Sequence, residues 1–503
     1  MTPARSAAMQ VHAADTVAVA LRDLPAGETL QIGGQTVTLT DDIAQGHKFA
    51  VAAHAIGAAV VKYGLPIGSA CMPIAPGDHV HTHNLKTALA GELAYAPGPA
   101  AAERVAQQPA GPLWQGYRRA DGRAATRNEI WILPSVGCVA LTAEQIARDA
   151  NTRHGELIAQ GRIDGVHAFA HPHGCSQLGD DLAATRTLLA GLALHPNAAG
   201  VLLLGLGCES NQLAGIVAEL PAAAQPKVRC LSTQGAGDEM AEAATIIDAL
   251  VADAALCRRE PLPLGALVVG LKCGGSDGFS GLTANPLLGR FSEALAAAGG
   301  TPILTEIPEI FGAEQALLER AADAETFEQA AALVNGFKRY YLDQGLPVSE
   351  NPSPGNIAGG ITTLEEKSAG AVQKAGTALL TSVLGYGAQA LQPGLALLEA
   401  PGNDAVSSTA LTAAGATLVL FTTGRGTPLG FPAPTVKIAS NRALAKAKPH
   451  WIDFDASAVL ESDPAEVDAA FLAHLLTIAS GQKTAAERAG QRAIAIWKKG
   501  VTL

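Results

Sequence analysis

No apolar run in this 503-residue sequence is long enough to cross a bilayer. The longest strings, such as Ala199 to Leu206, fall far short of the ~20 residues that a membrane helix needs. The opening MTPARSAAMQVHAADTVAVAL has no basic region followed by an apolar core, so a cytoplasmic location is expected. Basic residues are outnumbered, 35 Lys and Arg against 46 Asp and Glu, for a net charge of −11 and a pI of about 5.6. A general nucleic-acid binder needs a basic face and is excluded, and an anionic ligand here needs a locally positive site. The seven cysteines are odd in number, widely spread and without a CxxC pair, which suits reduced thiols and not a disulfide framework. Walker A, a Rossmann glycine fingerprint with its acidic partner and a G-x-S-x-G elbow are all missing, so nucleotide loops and a serine hydrolase are not expected. The expected partner is a small molecule, with neither nucleic acid nor membrane involved.

What remains is a globular composition, 48% hydrophobic and 16% charged, long enough for two to four domains. Residues 1–95 read as β-rich, with a Gly-Gly hairpin signal in TLQIGGQTVTL. APGPAAAERVAQQPAGP, within 96–115, reads as a linker. From 116 the texture alternates between apolar strands and helical stretches, which predicts an α/β layered body with mostly parallel sheets. CRREPLPLG marks a boundary that divides it into 116–260 and 261–503.

Cys138, Cys175, Cys208 and Cys273 each stand at the C-terminal end of a predicted strand, where ligands of open α/β sheets bind. Cysteine is also an ordinary small core residue, and Cys71, Cys230 and Cys257 are read that way. Soft thiolates select iron, zinc or iron–sulfur clusters. Three strand-end thiols can hold a cluster with one open iron, or some can join histidines around a single iron. His79-Val-His81-Thr-His83 puts three imidazoles on one face if it is a strand. His171-Pro-His173-Gly-Cys175 adds further donors, whereas a lone His47-Lys48 pair is ordinarily a surface feature. Ser276, Asp277 and Asn285 lie on a glycine-rich loop suited to hydroxyls, and Arg425, flanked by glycines at a strand end, suits a carboxylate.

GHKFA, KYGLPIG, VHTHN, GYRRADGRAATRNEIWILPSVGC, HPHGCSQLGDD, GLGCESNQ, CGGSDGFSGLTANP, ENPSPGNIAGGITTLEEKS, APGNDAVSSTAL, FTTGRGTPLGF and the ending KKGVTL resemble the altronate/galactarate dehydratase family over nearly the whole chain. The resemblance implies a small N-terminal all-β SAF (β-clip) domain ahead of the α/β body, and a hydro-lyase of hexuronate catabolism dependent on ferrous iron. VHTHN, HWIDFDA and the tail lean toward the altronate branch, which implies dehydration of D-altronate to 2-dehydro-3-deoxy-D-gluconate. A dehydratase of galactarate or another aldarate and a non-catalytic sugar-acid-binding protein are the alternatives. On this reading iron, mononuclear or in a cluster and with Mn2+ as a substitute, is held by some of Cys138, Cys175, Cys208, His81 and His83. A zinc enzyme is a further option, and a homodimer is one option for assembly. His47 and Lys48, with His171 as second choice, transfer protons; Arg425 and Lys437 pin the carboxylate; Ser276, Asp277 and Asn285 hold hydroxyls. These roles require the β-rich domain to pack over the sheet's C-terminal edge. Cys208→Ser is expected to abolish iron retention and turnover together, and a fully active variant would remove Cys208 from the site.

Overall fold

The computed structural model of the chain describes residues 6–98 and 110–503. Most of the expected linker falls on 99–109, outside the described residues. The N-terminal region is built from short antiparallel strands. Ala8–Met9, Val17–Ala20, Lys48–Ala50 and His79–Val80 form one sheet, and Ala59–Lys62, Leu65–Ala70 and Leu85–Lys86 another. Thr29–Ile32 and Gln35–Thr38 form the expected hairpin around Gly33 and Gly34. Both glycines have positive φ (57° and 82°), as a tight two-residue turn with the strands' own twist demands. Val17, Ala50, Val60, Ile67 and Val80 close the apolar centre between the sheets.

Two parallel sheets follow. The first runs in the order Gly165–Ala168, Glu129–Pro134, Ala198–Gly205, Val228–Ser232. Its inner strand Glu129–Pro134 is buried along its whole length, which explains the unbroken apolar run in the sequence. The second has seven strands, ordered Leu380–Leu384, Leu395–Leu398, Thr301–Leu304, Val268–Cys273, Leu418–Thr423, Thr435–Ala439 and Phe454–Asp455. Helices such as Ala140–Arg153, Gly179–Leu194, Ala284–Ala297 and Asp404–Ala413 bury their apolar sides on these sheets. Among the described residues no helix is long and apolar enough to cross a membrane.

One local reading changes, that of the histidine segment, and two other segments carry structure of their own. The segment expected as a boundary contains a strand, Glu260–Pro263, which pairs antiparallel with Leu113–Arg118. It bonds two distant segments together. In AEQALLERAADA one helix, Glu314–Leu318, stops, and Asp323 starts another, Ala324–Asp343, by accepting the Thr326 N–H. The HVHTH segment is a strand only at His79–Val80. Asn84 turns the chain there, taking the His81 N–H at 3.0 Å and donating to the His79 carbonyl at 2.9 Å.

The N-terminal region docks on the seven-stranded part through buried charge. The Lys48 ammonium meets Glu366 at 2.7 Å, the Gly360 carbonyl at 3.1 Å and Thr362 Oγ1 at 2.5 Å, and Lys62 meets the other Glu366 oxygen at 2.8 Å. Backbones also touch, since a Cβ on Gly278 would lie 1.9 Å from the Gly46 carbonyl oxygen. Burial alone would raise the Glu366 carboxyl, but Lys48 and Lys62 outweigh it and hold it at about 2. A depressed carboxyl contributes stability above its unfolded pKa of about 4.3, lost as pH falls toward 2. Urea unfolding should therefore weaken across that window. Glu366→Gln, which strands two lysines on a neutral amide, should cost about 3–5 kcal/mol at neutral pH. Limited proteolysis should then release the N-terminal domain first, and unchanged stability and protection would count against this docking role.

Candidate functional site

The seven-stranded sheet reverses its direction of growth between Val268–Cys273 and Leu418–Thr423. The chain leaves the first strand toward Thr301–Leu304 and later returns to the other side to continue with Thr435–Ala439. Such a switch point opens a crevice at the carboxyl ends of its strands. A cleft of about 540 Å³ lies there, walled by Asp277, Phe279, Gly359, Arg425 and Asn441, with Gln45 contributed by the N-terminal domain. A smaller cavity of about 310 Å³ borders Val268, at the opposite end of the same strand.

The Arg425 guanidinium is exposed at this cleft and has no hydrogen-bond partner among the described residues. Its backbone N–H donates to Gly275, tying the two switch-point loops together. Asp277 is occupied as a wall: it accepts from Ser280 at 2.9 Å, Ser440 at 2.8 Å and Asn441 at 2.8 Å. The Ser276 carbonyl accepts from Asn356 at 2.8 Å. Asn285 is buried, donating to the Gly370 carbonyl and accepting from Thr422. The Lys437 ammonium donates to the carbonyls of Thr427 and Leu429, bracing the Arg425 loop from beneath. Burial, only partly offset by Asp453 and Asp404, lowers it to about 8.

Four histidines gather where the N-terminal domain meets this region. The rings of His47, His79 and His81 lie 5.2, 5.3 and 5.1 Å apart, and His83 is 5.8 Å from His79. His47 Nδ1 faces His79 Nε2 at 3.1 Å, and His81 Nε2 donates to the Ile357 carbonyl at 3.1 Å. Burial lowers His47, His79 and His81, with His79 at about 4, so all three are neutral imidazoles at pH 7. Lys48, beside them, is wholly buried in the Glu366 bridge and is no surface residue.

A second polar cluster was not anticipated. Cys273 Sγ lies 2.8 Å from Lys374, 3.4 Å from Glu309 and 3.6 Å from Glu306. Lys272 bridges Glu306 and Asp404, and Lys367 meets Glu309 at 2.9 Å. Among the described residues, Cys273, Glu306 and Glu309 are the one group of three whose ligand atoms lie within 4.8 Å of one another, a spacing compatible with a metal ion. The local charge is already balanced, however, by three lysines facing three carboxylates. Burial, against the pull of Lys374, pushes the thiol up to about 12. A divalent cation would enter among three ammonium groups, and a metal needs the thiolate. The imidazoles carry no such charge conflict, and no three of their nitrogens lie within 4.8 Å of one another. Beyond the strand-end position of Cys273, the sequence signal for this cluster is two glutamates in the otherwise apolar stretch TPILTEIPEIFG, just past a strand end.

The remaining candidates lie on the four-stranded sheet. Cys138, Cys175 and Cys208 are exposed on the loops after its first three strands in chain order. His171 is buried below them, with Nε2 on the Pro134 carbonyl at 2.7 Å and Nδ1 accepting the His173 N–H. Both of its ring nitrogens thus serve the loop.

Comparison with known proteins covers the same three regions. Residues 6–88 match the family model "Altronate/galactarate dehydratase SAF domain". Residues 116–255 match "D-galactarate dehydratase/Altronate hydrolase, second domain", and residues 264–502 match "D-galactarate/Altronate dehydratase, C-terminal". The chain is 48% identical to the altronate dehydratase of Escherichia coli (strain K12), over 98% of this chain and 99% of the relative. It is 46% identical to that of Bacillus subtilis (strain 168), with the same coverage. Identity to the galactarate dehydratase (L-threo-forming) of Escherichia coli (strain K12) is 31%, over 94% and 93%. The docked β domain, the two parallel sheets and these matches lead to one statement: the chain belongs to the altronate/galactarate dehydratase family.

Proposed function

We propose that this chain is a hydro-lyase that converts D-altronate to 2-dehydro-3-deoxy-D-gluconate in the catabolism of hexuronates. The observation that carries the reading is the unpartnered Arg425 guanidinium in a cleft of sugar-acid size, one wall of which, Ala358–Gly359, belongs to the segment that His47 and His81 hydrogen-bond. The two altronate dehydratases at 46–48% identity, against 31% for the galactarate enzyme, favour a substrate with one carboxylate. One partnerless arginine at the cleft fits that count. The seven free thiols suit the reducing cytoplasm.

The reaction removes the C2 proton and the C3 hydroxyl, which leave in sum as one water molecule, and the resulting enol becomes the ketone. Arg425 binds the carboxylate with paired N–H donors and fixes which end of the sugar enters. His79, His81 and His83 are the residues that would hold Fe2+ once their nitrogens, which stand wider apart than one ion requires, draw together, and His81 must then release the Ile357 carbonyl. When bound, the ion supplies Lewis-acid stabilisation of the negative charge that builds at the carboxylate end. His47 immediately precedes the strand Lys48–Ala50, next to the Gln45 wall of the cleft. Kept neutral by burial, it takes the C2 proton as general base. Lys48 has its ammonium hydrogens directed at Glu366, Gly360 and Thr362, and it holds His47 in place through the docking bridge.

Keto-acid formation should be seen with altronate and be much slower with galactarate; the reverse order would overturn the substrate assignment. Arg425→Ala removes a charge-assisted contact of about 1.5–3 kcal/mol and should raise KM for altronate roughly 10–100-fold. His47→Ala should abolish turnover while retaining iron, whereas His81→Ala should lose both, as measured by metal content after anaerobic purification. Loss of iron in His47→Ala would make His47 a ligand and leave the base to another group.

A further inference from the structure

The four-stranded sheet has its own switch point, between Glu129–Pro134 and Ala198–Gly205, and the cleft just described does not use it. Three Gly-Cys pairs stand around its carboxyl edge: Gly137-Cys138, Gly174-Cys175 and Gly207-Cys208. Their loops interlock. The Gly137 N–H donates to the His173 carbonyl at 2.8 Å, and the Asn211 N–H donates to the Gly174 carbonyl at 2.9 Å. Asn211 Nδ2 reaches the Ser135 carbonyl at 3.2 Å, and Ser135 Oγ donates to Glu209 at 2.6 Å. Each cysteine is therefore within a few residues of a bond to another cysteine's loop. The approach of the first two loops depends on glycine, since a Cβ on Gly174 (φ 101°) would lie 2.0 Å from the Ser135 carbonyl oxygen. The chain's last residues close one side: Leu503 N–H donates to the Ser176 carbonyl, and Lys499 and Gly500 N–H groups donate to Asp181.

Packing does not account for these thiols. A cysteine that fills a core is buried, as Cys273 is, yet all three here are exposed and none is in a disulfide. Their sulfurs are not among the ligand atoms lying within 4.8 Å of one another. A single ion with metal–sulfur bonds of about 2.3 Å would have to draw together three thiolates whose loops are already bonded to one another. A multi-iron cluster places its iron atoms and sulfides between the thiolates and accepts a wider spread. The Gln234 amide, from beyond the fourth strand, already donates to Cys208 Sγ at 3.5 Å, the type of N–H contact that tunes cluster sulfurs.

We propose that Cys138, Cys175 and Cys208 hold an iron–sulfur cluster through three thiolates, leaving one iron for a ligand from outside the chain. This centre is separate from the imidazole site and goes beyond the altronate reading. The test uses the full chain, purified without oxygen and reconstituted with ferrous iron and sulfide. Iron, acid-labile sulfide, visible absorption and the electron paramagnetic resonance of the reduced protein are then measured. The wild type should carry sulfide with iron. Cys138→Ser, Cys175→Ser and Cys208→Ser should each lose labile sulfide at least about tenfold while keeping the circular dichroism of the folded chain. Cys230→Ser and His81→Ala should keep it. Iron without sulfide in the wild type, or sulfide undiminished in all three serine variants, overturns the cluster. Neither result touches the altronate assignment, which keto-acid formation judges by itself.

Discussion

One buried carboxylate joins the two halves of this site. Glu366 lies between Lys48 and Lys62, each essentially inaccessible to water, and its two oxygens are shared between both ammonium groups. An uncompensated charge at that depth is costly, so the bridge allows essentially one seating of the N-terminal domain. That seating places the His47 and His81 imidazoles on the Ile357–Gly359 segment that walls the cleft. The cleft is thus shared between domains, and its histidines gain their setting only when the bridge is made.

The two parallel sheets repeat one physical theme. At each switch point, neighbouring strands send their chains in opposite directions, and the loops leave a gap that side chains must finish. The seven-stranded sheet finishes it with the Asp277 network, a free arginine and a charge-balanced cluster of lysines, glutamates and Cys273. The four-stranded sheet finishes it with three glycine–cysteine loops locked by Asn211 and Glu209. Glycine serves the same purpose at both, letting a backbone approach where a Cβ would collide with a carbonyl or carboxylate. The first gap suits an anion, and the second suits soft-metal chemistry.

Much of the fold was legible in local pattern. The Gly33-Gly34 turn, the fully buried run Glu129–Pro134 and the strand-end cysteines all follow from short-range chemistry. The misreading of the histidine segment had a local cause too: Asn84 caps a turn that cuts that strand short. Within the site, the Gly-flanked Arg425 could be read from its loop. The pairing of His47 with His79, the bridging of Lys48 and Lys62 by Glu366, and the Cys273 cluster could not. Their partners lie between 32 and more than 300 residues apart, and no periodicity relates them.

The sequence by itself determined the kinds of element, the family they belong to and the chemistry available at each strand end, because those depend on neighbouring residues and on motifs that survive as strings. Only the tertiary structure decided which of those groups meet. Lys48 became a buried docking charge, Lys437 a brace for a loop and His171 a scaffold for another, while Arg425 stayed without a partner. The reason is desolvation. A polar side chain's role is set by whether folding supplies it a partner, and that partner is chosen by packing across the chain, not along it.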